Sequence, residues 1–146
     1  GHVHAVAGMS VRTGGGIQEA GTTGAHGIIR GSISNGATWY EDLLITENGT
    51  AIAGTPASWV WQLNLRSFPD NTVVLGLTTA DGTLTVSQGA TATTIQIRVV
   101  YTTMDGIDPG NYLIDLASLD VSATPDRLIH WAHGVVTVRH EPVWAD

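Results

Sequence analysis

The sequence predicts an all-β fold, an antiparallel β-sandwich over residues 37–146 preceded by an extended Gly-rich amino-terminal arm over residues 1–36. Three observations carry that expectation. Apolar and polar side chains alternate through about seven short stretches, the pattern of strands with one buried face. Turn sequences rich in Gly, Pro, Asn and Asp separate these stretches at roughly ten-residue spacing. No stretch of useful length repeats its apolar residues with a helical period.

Ten of the eighteen glycines fall in residues 1–36, in runs such as RTGGGIQEAGTTGAHG. So few large apolar side chains accompany them that this segment is expected to build no core of its own. It reads as an arm that docks on a neighbouring subunit, with HGIIRGSI adding a short strand at its end. His2 and His4 would share one face of a strand and form half of a transition-metal site. The other ligands would have to come from elsewhere, so GHVHAVAG is read as a loose end ahead of Met9, and no metal is assigned.

From residue 37 the period is two. ATWYEDLLIT leads into ENGT, where Asn-Gly signals a turn. ASWVWQLNLR sets Trp59, Trp61, Leu63 and Leu65 on one face against Val60, Gln62, Asn64 and Arg66. SFPDN is a turn cluster, followed by TVVLGLT, the turn ADG, and TLTVSQ. TTIQIRVVY alternates Ile95, Ile97, Val99 and Tyr101 against Gln96 and Arg98, and TTMDGIDPG is the one stretch expected to hold a helical turn. NYLIDLASLD alternates again, and DRLIHWAHGVVTVRH closes the domain, with Gly134 marking a bulge or a close approach of two backbones. In DPGNY, Tyr112 follows a Pro-Gly turn at the start of a late strand, as in the tyrosine corner of immunoglobulin-like sandwiches. The fold class is therefore read as immunoglobulin-like, with a jelly roll or small barrel as the other all-β architecture.

Charge and composition exclude several functions. Thirteen acidic residues face six arginines and no lysine, for a net charge of −7. That balance argues against a nucleic-acid partner and against a polybasic membrane anchor. The absence of cysteine removes disulfides and thiolate chemistry. No apolar run approaches the length of a membrane span, and a soluble chain is expected.

Nor does a catalytic constellation emerge. His130 and His133 fall on opposite faces of a regular strand, and only a bulge would bring them together. Glu41, Asp42, Asp105, Asp108, Asp115, Asp120 and Asp126 would serve a glycosidase only if the fold set two of them about 5–10 Å apart. Most stand at turns, where Asp accepts from backbone N–H groups. RTGGGIQ lacks the Lys and the strand-to-helix setting of a phosphate loop. No enzyme activity and no cofactor are expected. Trp59, Trp61 and Trp131 read as core, whereas Trp39, Tyr40 and Trp144 read as interaction residues.

Residues 37–140 resemble a family. TWYEDLLITENGT precedes SWVWQLNLR, then come LTTADGTLTV, IQIRVVYTTMDGIDPGNYLIDL and LIHWAHGVVTVR. Within this layout Met104, Pro109, Gly110, Tyr112, Asp115 and Leu116 are followed by Gly134 and Val138. It is similar to the amino-terminal β-sandwich domains of phage baseplate upper proteins and to small tail-associated prophage proteins. The resemblance implies a non-catalytic structural protein of the virion, a homo-oligomer assembled with other virion proteins after synthesis in the host cytoplasm. The rival readings are a carbohydrate-binding module that stacks sugars on Trp39, Tyr40 or Trp144, and a glycan hydrolase with paired carboxylates.

Overall fold

The computed structural model describes residues 11–12, 17–23, 26–47 and 49–141, with side chains from residue 27 onward. The chain is all-β and forms two sheets. The first has the order β1-β4-β8-β7, from β1 (Val11–Arg12), β4 (Trp39–Ile45), β8 (Thr93–Val99) and β7 (Leu84–Gln88). The second has the order β2-β3-β10-β9-β5-β6, from β2 (Ile17–Thr23), β3 (His26–Ser34), β10 (Arg127–Arg139), β9 (Gly110–Asp120), β5 (Val60–Arg66) and β6 (Val73–Thr78). Neighbouring strands run antiparallel except β3 and β10, which are parallel. A 3-10 turn (Pro56–Ser58) precedes β5, and the expected helical turn is α1 (Tyr101–Met104).

Alternation decides what is buried. In β5, Trp61, Leu63 and Leu65 point inward, and in β8, Thr93, Ile95, Ile97 and Val99 do so. Side chains from both sheets join one buried cluster. Its centre is a stack of indoles: Trp61 lies 6.1 Å from Trp59 and 5.6 Å from Trp131, ring centre to ring centre. Burial of an indole is favourable only if its N–H finds an acceptor. Trp61 Nε1 donates to the Pro56 carbonyl at 2.8 Å, and Trp131 Nε1 donates to Ser118 Oγ at 2.8 Å.

Two expectations need correction here. The boundary drawn after residue 36 does not coincide with the edge of the packed body. Residues 17–23 and 26–34 are strands of the six-stranded sheet, and Ile29 and Ile33 of β3 lie in the buried cluster. Two isoleucines suffice because β10 and the facing sheet supply the rest of the core. A glycine of the partner strand permits close packing: a Cβ added at Gly134 of β10 would sit 1.7 Å from the Ile29 carbonyl oxygen. Gly134 therefore marks a close approach of backbones rather than the bulge. The second correction concerns Trp39, which is only 5% exposed and faces the core with Leu43 and Ile45. Its neighbour at period two, Glu41, is also buried and accepts the indole N–H at 2.9 Å. A local acceptor makes the burial of this Trp possible.

The loop after β8 is held from both sides. Met104 and Ile107 are buried, Asn35 Nδ2 donates to the Ile107 carbonyl at 3.0 Å, and Tyr112 Oη donates to the Asp108 carbonyl at 2.6 Å. Asn35 Oδ1 also accepts from the Glu141 N–H, tying the end of β3 to the chain after β10.

Two outcomes follow from this packing. Gly134→Ala forces β3 away from β10 and should cost about 3 kcal/mol in urea denaturation; an unchanged midpoint would mean that the two strands do not meet as described. Tyr112→Phe should cost about 1 kcal/mol at neutral pH through its lost hydrogen bond. Burial first, and the Asp108 charge second, hold the Tyr112 phenol above its ordinary value. A raised folded-state value means that this contribution is complete below the unfolded phenol value and is lost as pH rises through the folded one. Alkaline unfolding of the wild type should therefore be steeper than that of Tyr112→Phe, as read by circular dichroism.

Candidate interaction site

The outward side chains of the six-stranded sheet form cross-strand rows. Their order follows from strand register, which brings together residues far apart in the chain. Val60, Leu119 and Leu128 make an apolar row at one end. Gln62, Ala117 and His130 follow, then Asn64, Asp115, His133 and Ile28, then Arg66, Leu113, Val135 and Arg30. A bulge in β10 makes this face possible. The register of β10 against β9 shifts between His130 and Ala132, and Trp131 and Ala132 are both buried. One residue is thereby absorbed toward the core, and His130 and His133 both become exposed. This is the bulge that the sequence required if the two histidines were to share a face.

In the last two rows the surface dips into a depression of about 590 Å³ lined by Arg66, Asn71, Leu113, Asp115, His133 and Val135, with backbone from Ile114 and Gly134. Asp115 organises its polar wall. Arg66 Nε donates to Asp115 Oδ2 at 2.9 Å, and Asn64 Nδ2 donates to Asp115 Oδ1 at 3.2 Å. Arg66 Nη1 reaches the Asn71 carbonyl at 3.4 Å. These two bonds leave part of the five-donor guanidinium fork for an incoming acceptor. Leu113 and Val135 supply the apolar wall, and Val135 is exposed. A cationic fork, an imidazole and two aliphatic side chains suit a carboxylate-bearing protein segment.

The sequence-derived candidates lie elsewhere. Tyr40 is 70% exposed on the outer face of the four-stranded sheet. The Arg98 guanidinium covers one side of its ring, 3.5 Å from the ring centre, and is itself anchored by Asp42 Oδ1 at 2.9 Å and by the Glu41 and Ile97 carbonyls. Trp39 is in the core, as above. Trp144, His2 and His4 lie outside the described residues. Among the described residues no group of three or more His, Asp or Glu side chains is placed to hold a metal ion. Several of the carboxylates do serve turns. Asp81 accepts from the Thr83 N–H at 2.9 Å and Asp120 from the Ser122 N–H at 3.0 Å, and Ser67 Oγ donates to Asp70. Side-chain hydrogen bonds from Thr83, Ser122 and Ser67 are the main reason these three carboxyls titrate below the ordinary aspartate value.

The cluster around Asp115 went unread in the sequence. Arg66 and Asp115 are 49 residues apart, and no single-strand pattern states which strands are neighbours. The one local signal was a carboxylate in the middle of a strand, Asp115 in NYLIDLAS, rather than at a turn. Compared with known proteins, the chain matches no family model and no curated protein.

Arg66 and Asp115 are 31% and 29% exposed, so their ion pair is partly screened by solvent. Asp115→Asn should change stability by no more than about 1 kcal/mol in urea denaturation. A loss of several kcal/mol would make this cluster part of the folding core rather than a surface available to a partner.

Proposed function

We propose that the chain is a structural and interaction component of a tailed phage or prophage particle, an immunoglobulin-like β-sandwich that works by docking rather than by catalysis. The observation that carries this reading is the outer face of the six-stranded sheet, where aliphatic side chains surround a depression walled by Arg66, Asp115 and His133. Apolar anchors around a hydrogen-bonded charged group are what protein interfaces use.

The immunoglobulin-like assignment draws support from strand order. β4, β8 and β7 stand where strands B, E and D stand in that fold, and β5, β9 and β10 stand where C, F and G do. Trp61 is buried on β5, in keeping with the buried Trp of strand C in that fold, and the Tyr112 bond to the Asp108 carbonyl has the form of a tyrosine corner. These features agree with the layout that resembles the sandwich domains of phage baseplate proteins. In this reading the partners are other virion proteins and copies of the chain, and the location is the virion. The amino-terminal segment contributes strands β2 and β3 to the sheet itself. The alternative, a carbohydrate-binding module, draws on Tyr40, but Arg98 leaves that ring only one side for a sugar.

The test is the composition of particles. After induction of the source strain, gradient-purified tailed particles should contain this chain at several copies per particle by quantitative mass spectrometry. Its absence from purified particles, with abundant chain in the soluble fraction, would overturn the proposal.

A further inference from the structure

The docking face has a complement on the same chain. The loop from Val100 to Asp108 joins β8 to β9 and lies at the end from which β9 departs. Val100 and Tyr101 are 51% and 39% exposed, and Asp105 and Asp108 are exposed beside them. An aliphatic and an aromatic side chain with two carboxylates make an acidic, partly apolar knob. The knob is held in shape from beneath by buried Met104 and Ile107, by Asn35 and by Tyr112. A preorganised element loses little conformational freedom when it binds.

The depression offers the opposite chemistry. It carries Arg66 and His133, with Arg30 in the same cross-strand row and Leu113 and Val135 as apolar contacts. Its one carboxylate, Asp115, is engaged by Arg66 and Asn64. With a net charge of −7, two copies of this chain repel one another over most of their surfaces. Attraction between copies therefore requires the cationic part of one to meet the acidic part of the other. Arg66 is itself paired with Asp115, so the net positive charge of this row comes from Arg30; Arg98 pairs with Asp42 and covers Tyr40, Arg139 pairs with Glu141, and Arg127 lies near Asp120 and the Trp59 ring.

We infer that the chain binds a second copy of itself, the Val100–Asp108 knob of one copy seating in the Arg66–His133 depression of the other. Knob and depression lie toward the same end of β9, because Leu113 follows Asp108 by five residues. Two copies related by a two-fold axis exchange both contacts at once, which closes the interface on itself. This rests on the docking role proposed above and names the partner for it.

The experiment is sedimentation equilibrium of the full chain over a wide concentration range, at low and high salt. The expected result is a monomer–dimer equilibrium weakened by salt. Both Arg66→Glu and the double variant Asp105→Arg/Asp108→Arg should dissociate about ten-fold or more readily, and mixing the two should restore association. Circular dichroism melts establish that each variant is folded. Should Arg66→Glu lose its fold, Arg30→Glu takes its place on the same face. A wild-type chain that stays monomeric throughout, or a dimer indifferent to both charge reversals, would overturn the inference. Particle composition separates this from the broader proposal: a chain present in particles yet monomeric alone docks on a different protein.

Discussion

A single inserted residue in β10 governs both the interior and the surface of this protein. Without the bulge, strict alternation would turn one of His130 and His133 inward. With it, Trp131 and Ala132 both face the core while both histidines face solvent. Trp131 then completes the indole stack on Trp61, and Ser118 satisfies its N–H. Three residues further on, Gly134 lets the parallel strand β3 approach closely enough to cover the core with Ile29. The packing of two strands and the polarity of the outer face of the six-stranded sheet thus depend on the same few residues of IHWAHG.

The strands that sequence reading located were those whose alternation is strict. In WVWQLNLR every second residue is large and apolar, and in NYLIDLAS Tyr112, Ile114 and Leu116 are, so the period alone assigned the faces correctly. The Tyr112 hydrogen bond was legible because it is local, spanning four residues. Trp39 was misjudged because the polar residues of TWYED suggest solvent, whereas Glu41 lies inward and serves as the acceptor for the indole. Strand β3 was undervalued because glycine was counted as missing core. Here it marks two backbones packed without side chains between them, and its partner strand is roughly a hundred residues away. The docking face was illegible for a related reason: its groups meet through register between strands, and register is set by the whole sheet.

The acidic balance of the chain also has a structural distribution. Asp70, Asp81 and Asp120 are absorbed into turns, where they accept hydrogen bonds from neighbouring Ser and Thr groups. Negative charge thereby collects at the ends of the strands. The broad faces of the sheets keep few carboxylates, and two of the arginines there are steered by them: Arg66 by Asp115 and Arg98 by Asp42. Such a division leaves the strand faces with fixed donors and apolar side chains, and the loops with most of the negative charge.

The parallel pairing of β3 with β10 has a consequence for biosynthesis. Residues 26–34 are translated early, yet the strand beside which they lie comprises residues 127–139. At about 5–20 residues per second, the ribosome takes several seconds to supply the second half of that pair. Throughout this interval Ile29 and Ile33 lack the strand that shelters them. The glycines around them keep the waiting segment low in apolar content, and so a poor template for premature association. A composition that looks like a weakness in the finished sheet suits a strand that has β2 beside it early but whose other edge must wait until the chain is nearly complete.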